Sequence, residues 1–166
     1  MSSSDTDTKV LERLRTDHDR QRELLDRIAK TEGASEERRE LFTQLTKELK
    51  SHAAAEEQAV YSEMLAEPDV SDETRHSVAE HHEIDEMLND LAATDMGSSA
   101  WMQKFKQLDE RYRHHINEEE EDHFPDFADQ IDKSMDKEMT ATFDERKEKE
   151  KAAAEVTPEE KEDAKE

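Results

Sequence analysis

Two segments of the sequence carry the same polar pattern inside an otherwise apolar helical stripe. Glu56 follows His52 by four residues, and Glu119 follows His115 by the same interval. Residues four apart lie on one face of an α-helix, with Cβ atoms about 5–6 Å apart. Each pair can therefore offer an imidazole nitrogen and a carboxylate to one point in space. If the two helices face one another, four ligands converge, as a metal site requires.

The spacing alone is weak evidence for a metal site, because Glu is so frequent in this chain that a Glu four residues after a His readily arises by chance. The stronger evidence is that each pair continues the apolar stripe of its helix. The stripe that leads to His115 steps by four, three and four residues through Trp101, Phe105, Leu108 and Tyr112. A similar stripe leads to His52 through Leu41, Leu45 and Leu49. His114 and Glu118 fall on a polar face instead. Each stripe becomes polar at one level only, which favours a buried site there.

Two further histidines, His18 and His81, lie on apolar stripes of their own, and the segments around them align with each other. The chain thus consists of two helical hairpins, each with a lone His on its first helix and a His-Glu pair on its second. A lone inward His is more often a hydrogen-bonded core residue than a ligand. Two buried Glu without inward Lys or Arg, however, need a cation. The predicted metal ligands are His18, His52, Glu56, His81, His115 and Glu119.

The composition predicts an all-α chain. It contains two Gly and three Pro, and it has no alternating run typical of a strand. Breaks near Gly33, Pro68 and Gly97 divide it into four helices, which predicts an up-down-up-down four-helix bundle. With 31% hydrophobic residues the core is small, and a bound metal would stabilise it.

The predicted domain spans residues 9–143. Residues 1–8 are expected to form a disordered arm. Residues 144–166 are expected to form a charged, acidic tail that begins as a frayed helix and then becomes disordered. After Pro125 the sequence predicts a C-terminal helical extension, lying over the open end of the bundle or against a second copy. Its apolar positions recur every four residues at Phe127, Ile131, Met135, Met139 and Phe143.

The donor set indicates which metal fits. The chain has no Cys, so thiolate sites are excluded. Imidazoles and carboxylates alone suit a pair of divalent first-row metals better than structural zinc. A Glu from each hairpin could bridge two ions about 3.5–4 Å apart, and open positions would bind a small ligand.

The formal net charge of -23 argues against nucleic acid or an anionic membrane as a partner, since both select for Lys and Arg. A cation is the partner that such a chain holds most easily. No apolar run is long enough to span a bilayer, and no signal-peptide core follows Met1. We therefore expect a cytoplasmic protein.

At these residues, over roughly 18–143, the sequence resembles the hemerythrin family in its bacterial HHE cation-binding branch. The resemblance implies a non-haem di-iron centre in a four-helix bundle, bridged by an oxo or hydroxo group and two carboxylates. In that scheme the four histidines are terminal ligands, and Glu56 and Glu119 are the bridges.

Two departures from the family pattern concern the third and fourth helices. Oxygen-carrying hemerythrins place two histidines four apart on the third helix, whereas Ser77 and Asp85 lie four residues before and after His81. In oxygen-carrying hemerythrins an Asp also follows the last His by five residues. Here Glu119 follows His115 by four residues and His114 by five. A missing ligand argues against reversible oxygen carriage and favours water binding, redox chemistry or metal release. Ser77, Asp85, His82 and His114 remain candidates to complete the coordination.

Three aromatic residues lie near the predicted site. Tyr112, one turn from His115, would either hydrogen-bond a metal-bound ligand or pack in the core. Tyr61 and Phe124 are expected to pack at the end of the bundle.

The favoured function is a di-iron protein that binds dioxygen, nitric oxide or peroxide in an oxygen, redox or iron-responsive role. A second hypothesis is an oxidoreductase in which the same centre turns over peroxide or reduces nitric oxide. A third is a metal-stabilised helical protein that acts through a protein regulator in a stress response. We expect a monomer or a weak dimer.

Overall fold

The computed structural model describes the backbone of residues 8–165 and the side chains of residues 8–153. Residues 1–7, nearly all of the predicted N-terminal arm, lie outside the described residues. Within 8–165 the chain has no strand, which confirms the all-α prediction. The helices are α1 (Lys9–Ala29), α2 (Glu36–Glu56), α3 (Ser62–Met64), α4 (Ser71–Ala92), α5 (Ser99–Glu118), α6 (Phe124–Gln130) and α7 (Lys133–Lys165). Two π-helical segments, π1 (Glu57–Tyr61) and π2 (Glu119–His123), continue α2 and α5.

The four long helices of the predicted bundle are α1, α2, α4 and α5. Helix α1 packs against α2 and α5, and α4 packs against α5 and α2, so the four form a closed ring of neighbours. Serine side chains cap two of them: Ser35 accepts from the backbone N–H of Arg38 at 3.1 Å, and Ser98 accepts from that of Trp101 at 3.2 Å. These caps fix where α2 and α5 begin.

The core consists of two apolar clusters rather than one. The first contains Leu24, Leu25, Leu45, Leu88, Trp101 and Phe105 among others. The second contains Leu11, Leu14, Val60, Phe124, Phe127 and Phe143 among others. Along the chain, each predicted ligand lies between members of the two clusters. The polar level predicted from the stripes therefore separates the two halves of the core.

Helix α7 differs from the predicted extension in two ways. The helical segment after Pro125 breaks at Ile131, and the Asp132 side chain then accepts from the backbone N–H of Met135 at 2.8 Å, where α7 starts. Helical structure also continues to Lys165, farther than the frayed helix predicted after residue 143. Polar contacts join this part of α7 to the bundle: Asp144 accepts from Arg13 at 3.1 Å, and Arg146 donates to Gln58 at 2.6 Å.

Helix α7 lies along α2, π1 and α1 of its own chain, not over the open end of the bundle. The backbone N–H groups of Lys9 and Val10, at the start of α1, donate to the Asp136 carboxylate at 2.8 and 2.9 Å. Because the first N–H groups of a helix have no partner within it, Asp136 both caps α1 and anchors α7. No helix within residues 8–165 is long and apolar enough to cross a membrane.

Trp101 provides a test of the first cluster. Its ring is fully buried, stacks on Phe105 with centroids 5.6 Å apart, and has the Arg38 guanidinium 4.7 Å from its centroid. We expect Trp101→Ala to lower the free energy of unfolding by about 3–5 kcal/mol, measured by denaturant titration of the metal-free protein. The exposed Leu65 is the control, since Leu65→Ala should change it by less than about 0.5 kcal/mol. Equal losses in both variants would contradict this packing.

Candidate metal centre

The structure brings all six predicted ligands to one level of the bundle interior. Each is at most 6% exposed. The contributing elements are α1 (His18), α2 (His52 and Glu56), α4 (His81), α5 (His115) and π2 (Glu119). All four bundle helices therefore supply an imidazole, and each hairpin supplies a carboxylate.

The inner atoms of these side chains approach one another closely. Glu56 Oε1 lies 3.3 Å from His52 Nε2 and 3.2 Å from His81 Nε2, and Glu119 Oε1 lies 3.3 Å from His18 Nε2. The ring centroids of His81 and His115 are 5.0 Å apart. Each carboxylate thus faces a histidine from the opposite hairpin, because Glu56 meets His81 and Glu119 meets His18.

Most of these inner atoms have no hydrogen-bond partner among the described residues. They are His18 Nε2, His52 Nε2, His115 Nε2, both carboxylate oxygens of Glu56, and Glu119 Oε1. A buried polar atom without a partner is costly, and several at one point are rare in folded proteins. The atoms lie close together without hydrogen-bond geometry, as expected of ligands that share metal ions. The residues present therefore fit a cation site.

The other ring nitrogen of every one of these histidines contacts a carboxylate on a neighbouring helix. The Nδ1 pairs are Asp17 with His52 at 2.8 Å, Glu57 with His81 at 2.8 Å, Glu80 with His115 at 2.8 Å, and Glu120 with His18 at 2.6 Å. Such a carboxylate keeps the proton on Nδ1 and leaves the Nε2 lone pair free for a metal. The four pairs form a closed ring around the bundle, running from α1 to α2, from π1 to α4, from α4 to α5 and from π2 to α1.

These four supporting carboxylates were not predicted from the sequence. Each is adjacent in sequence to a predicted ligand: Asp17 to His18, Glu57 to Glu56, Glu80 to His81 and Glu120 to Glu119. The signal was therefore present, although a chain with 47 acidic residues offers many such neighbours. The spacing of the repeat is constant. His81 follows His18, His115 follows His52 and Glu119 follows Glu56 by the same 63 positions.

A π-helical segment accompanies the glutamate in each hairpin. Its hydrogen bonds join residues five apart, so the turn is wider than in an α-helix, and such segments often occur at functional sites. Segment π1 directs the buried Tyr61 toward the centre, where its hydroxyl donates to Glu119 and its ring lies 5.2 Å from that of His81. Tyr61, expected only to pack at the end of the bundle, is thus a further candidate for contact with a bound metal.

The counterpart of Tyr61 in the second hairpin is Phe124, which stacks on His18 with centroids 5.9 Å apart. The two halves therefore differ at this position, with a phenol oxygen in one and a phenyl ring in the other. Tyr112 bonds to Gln21 instead of a predicted ligand, and Gln21 donates in turn to Glu48 at 2.9 Å.

The four residues left open to complete the coordination point elsewhere. Asp85 pairs with Lys50 at 2.6 Å, and the Ser77 hydroxyl lies 3.1 Å from His123 Nδ1. His82 and His114 are exposed. In the described structure none of the four contacts a predicted ligand.

A small cavity adjoins the site between α2 and α4. Its volume is about 20 Å³, and it is lined by Leu49, Lys50, His52, Ala53, His81, Ile84, Asp85, Leu88 and Tyr112. A water molecule needs roughly 10–15 Å³ of such space. The cavity therefore has room for about one molecule of the size of water, and the partly exposed Lys50–Asp85 ion pair contributes to its wall.

The carboxylates raise the pKa of three of the histidines. Burial lowers the pKa of His18, but the Glu119 and Glu120 carboxylates outweigh it and raise that pKa above its usual value. Burial lowers the pKa of His52, but the Asp17 and Glu56 carboxylates outweigh it and raise that pKa to about 10. Burial likewise lowers the pKa of His81, which Glu56 and Glu57 raise to about 9. In the metal-free protein the rings of His52 and His81 are therefore doubly protonated and positively charged at neutral pH. A metal must displace one proton from each ring to bind.

The comparisons with known proteins agree with this geometry. The family model for the hemerythrin HHE cation binding domain matches residues 9–127. The chain belongs to this family. A crystal structure of a hemerythrin HHE cation-binding domain-containing protein from Mycobacterium kansasii is similar, with a TM-score of 0.75 and 23% sequence identity. The alignment covers 89% of this chain and 88% of that one. No curated protein sequence matches significantly.

Membership of the HHE family and the buried donor set together make this a metal-binding protein. The family match ends at residue 127, so α1, α2, α4 and α5 with all six predicted ligands lie inside it. Helix α7 lies beyond it.

The raised histidine pKa values predict how the metal-free protein responds to pH. His52 and His81 bind protons more tightly in the folded protein than in the unfolded chain, where the pKa of a histidine is about 6.5. Their contribution to the stability of the fold is therefore complete below about pH 6.5. It is lost as pH rises through about 9 and then about 10. We expect the free energy of unfolding of the metal-free protein to fall over this range, measured by denaturant titration.

Two variants separate this effect from the general repulsion among carboxylates. His52→Gln should reduce the slope of stability against pH, whereas His82→Gln, at an exposed position, should leave it unchanged. Equal slopes in all three proteins would mean that the buried pairs do not set the pH response.

Proposed function

We propose that the chain holds two iron ions, with His18, His52, His81 and His115 as terminal ligands and Glu56 and Glu119 as bridges. The observation that carries this proposal is the group of buried, unpartnered nitrogen and oxygen atoms at a single level of the bundle. Membership of a cation-binding family supports it. Imidazole and carboxylate donors without sulfur are typical of non-haem iron sites.

The placement of the two glutamates supports a bridging role. Glu56 lies between His52 of its own hairpin and His81 of the other. Glu119, in the second hairpin, lies beside His18 in the first. A carboxylate that lies between donors of two hairpins is suitably placed to join two ions.

We further propose that the centre binds a small oxidant or gas in an oxygen, redox or iron-responsive role in the cytoplasm. When bound, the iron pair supplies a redox-active Lewis-acidic centre for dioxygen, nitric oxide or peroxide. The cavity beside His52 and His81 has room for one molecule of about the size of water, and apolar residues such as Leu49 and Ile84 form part of its lining.

An enzymatic role is the second candidate, because the site has a proton donor at hand. The Tyr61 hydroxyl contacts Glu119 and also Ser77, and Ser77 lies 3.1 Å from the buried His123. A series of closely spaced polar groups of this kind can deliver protons to a reacting ligand. Reduction of peroxide or of nitric oxide consumes protons, together with electrons from an external donor, so this arrangement is suitable for turnover.

Metal content tests the proposed ligands. Protein produced with iron should contain about two irons per chain, as a bridged pair requires. Glu56→Gln keeps the size of the side chain but removes its charge, and we expect that variant and His115→Ala to lose at least one iron. Exposed His114→Ala is the control and should retain both. Full iron content in the first two variants, or no iron in the wild type, would overturn the proposal.

Tyr61→Phe tests the enzymatic candidate, since Phe124 shows that a phenyl ring fits the equivalent position. With iron content unchanged, we expect peroxide consumption by the iron-loaded protein to fall by about 10²-fold or more, as for loss of a general acid. Tyr112→Phe is the matched control, because that hydroxyl bonds to Gln21. Unchanged turnover in Tyr61→Phe would exclude the phenol as the proton donor, and no turnover in the wild type would reject the enzyme.

A further inference from the structure

Lys147, on α7, reaches the supporting carboxylates of the centre from outside the family-matched part of the chain. Its Nζ atom lies 2.6 Å from Asp17 Oδ2 and 2.9 Å from Glu48 Oε2. The Lys147 side chain is only 12% exposed. A buried ammonium between two buried carboxylates is a costly arrangement unless all three charges are paired, so these contacts are specific.

The same carboxylate oxygen contacts both the lysine and a predicted ligand. Asp17 Oδ2 accepts from Lys147 and lies 2.8 Å from His52 Nδ1. The ammonium and the His52 ring therefore share one carboxylate oxygen, and a carboxylate bound to the outer nitrogen of a ligand histidine orients that ring. Only the Nε2 atom of that ring remains to point toward the centre, where it has no partner among the described residues.

The other three supporting carboxylates contact cations or histidines of the bundle itself, or are partly open to solvent. Glu120 accepts from Arg22 at 3.1 Å, Glu80 lies 3.3 Å from His76, and Glu57 is 44% exposed. In the described part of the chain, Asp17 is thus the supporting carboxylate whose cation comes from α7.

An apolar contact from the same face of α7 reinforces this pair. Phe143 precedes Lys147 by four residues, so the two side chains lie one above the other on α7. The Phe143 ring is 1% exposed and meets His52 edge-on, with centroids 6.0 Å apart. One face of α7 therefore holds His52 through its ring and through its Nδ1 partner.

We propose that Lys147 is a positioning residue of the metal centre: through Asp17 it holds His52 in the orientation that presents Nε2 to the metal. Helix α7 is then part of the metal-binding architecture and more than a cover for the bundle. This inference rests on the proposed function, because it requires His52 to be a ligand.

Three variants of the full-length, iron-loaded protein test it by the rate at which a chelator removes iron. Lys147→Met removes the charge but keeps the aliphatic stem, and we expect about tenfold faster iron loss, as for loss of a group that orients a ligand. Lys147→Arg keeps the charge and should retain iron much better than Lys147→Met. Lys149→Met, at an exposed position two residues away, should match the wild type.

A double variant distinguishes positioning of His52 from a general loosening of α7. In a His52→Gln background, Lys147→Met should cause little further acceleration in the loss of the iron that remains bound, because the histidine on which it acts is absent. A purely structural lysine would instead accelerate iron loss equally in both backgrounds, and that result would overturn the inference. So would wild-type chelation kinetics in Lys147→Met.

The failure of this inference can be told apart from failure of the proposed function. If the wild type takes up no iron, the proposed function fails and the role of Lys147 fails with it. If the wild type holds two irons and Lys147→Met releases them at the wild-type rate, only the role of Lys147 is rejected.

Discussion

The burial of two carboxylates and four imidazoles at one level of a helical bundle is the constraint on which the rest of this structure depends. Glu56 and Glu119 are fully buried, and the desolvation of a carboxylate costs several kcal/mol unless a positive charge lies beside it. In the metal-free chain the protonated rings of His52 and His81 supply that charge. In the metal-bound chain the ions would supply it. The apolar core is consequently divided into two clusters with this level between them.

The ring of supporting carboxylates follows from helix geometry. Successive residues of an α-helix point about 100° apart, since one turn takes 3.6 residues. When His18 points to the bundle axis, Asp17 points sideways to the next helix, where it meets His52. Two adjacent residues of one helix can thus have two roles. One is a ligand that points to the bundle axis, and the other supports a ligand on the neighbouring helix. Repetition of this relation around four helices closes the ring and makes each ligand dependent on a second helix.

The sequence was sufficient for the bundle and for the positions of the six predicted ligands, because both depend on the period of the apolar stripes. Features held by polar contacts were not predictable in this way. Glu120 lies in a run of five acidic residues, and nothing in that run distinguishes the residue that meets His18 from those in solvent. The docking of α7 beyond Phe143 depends on ion pairs such as Arg13–Asp144, and these leave no periodic trace. Tyr61 was missed for a different reason, since a regular α-helix would not place it on the face of Glu56 and the π-helical segment does.

The departures from twofold symmetry indicate where this chain has become specialised. The two hairpins share their ligands and their supporting carboxylates, but Tyr61 in one corresponds to Phe124 in the other. Asp17 is held by the buried ammonium of Lys147, whereas its counterpart Glu80 meets His76, a side chain that is half exposed. Symmetric binding of two ions needs neither difference. In the proposed two-iron centre, a proton donor on one side and a rigid ligand on the other would make the two ions chemically unequal, and a reaction or an exchange that occurs more at one ion than at the other would use both differences.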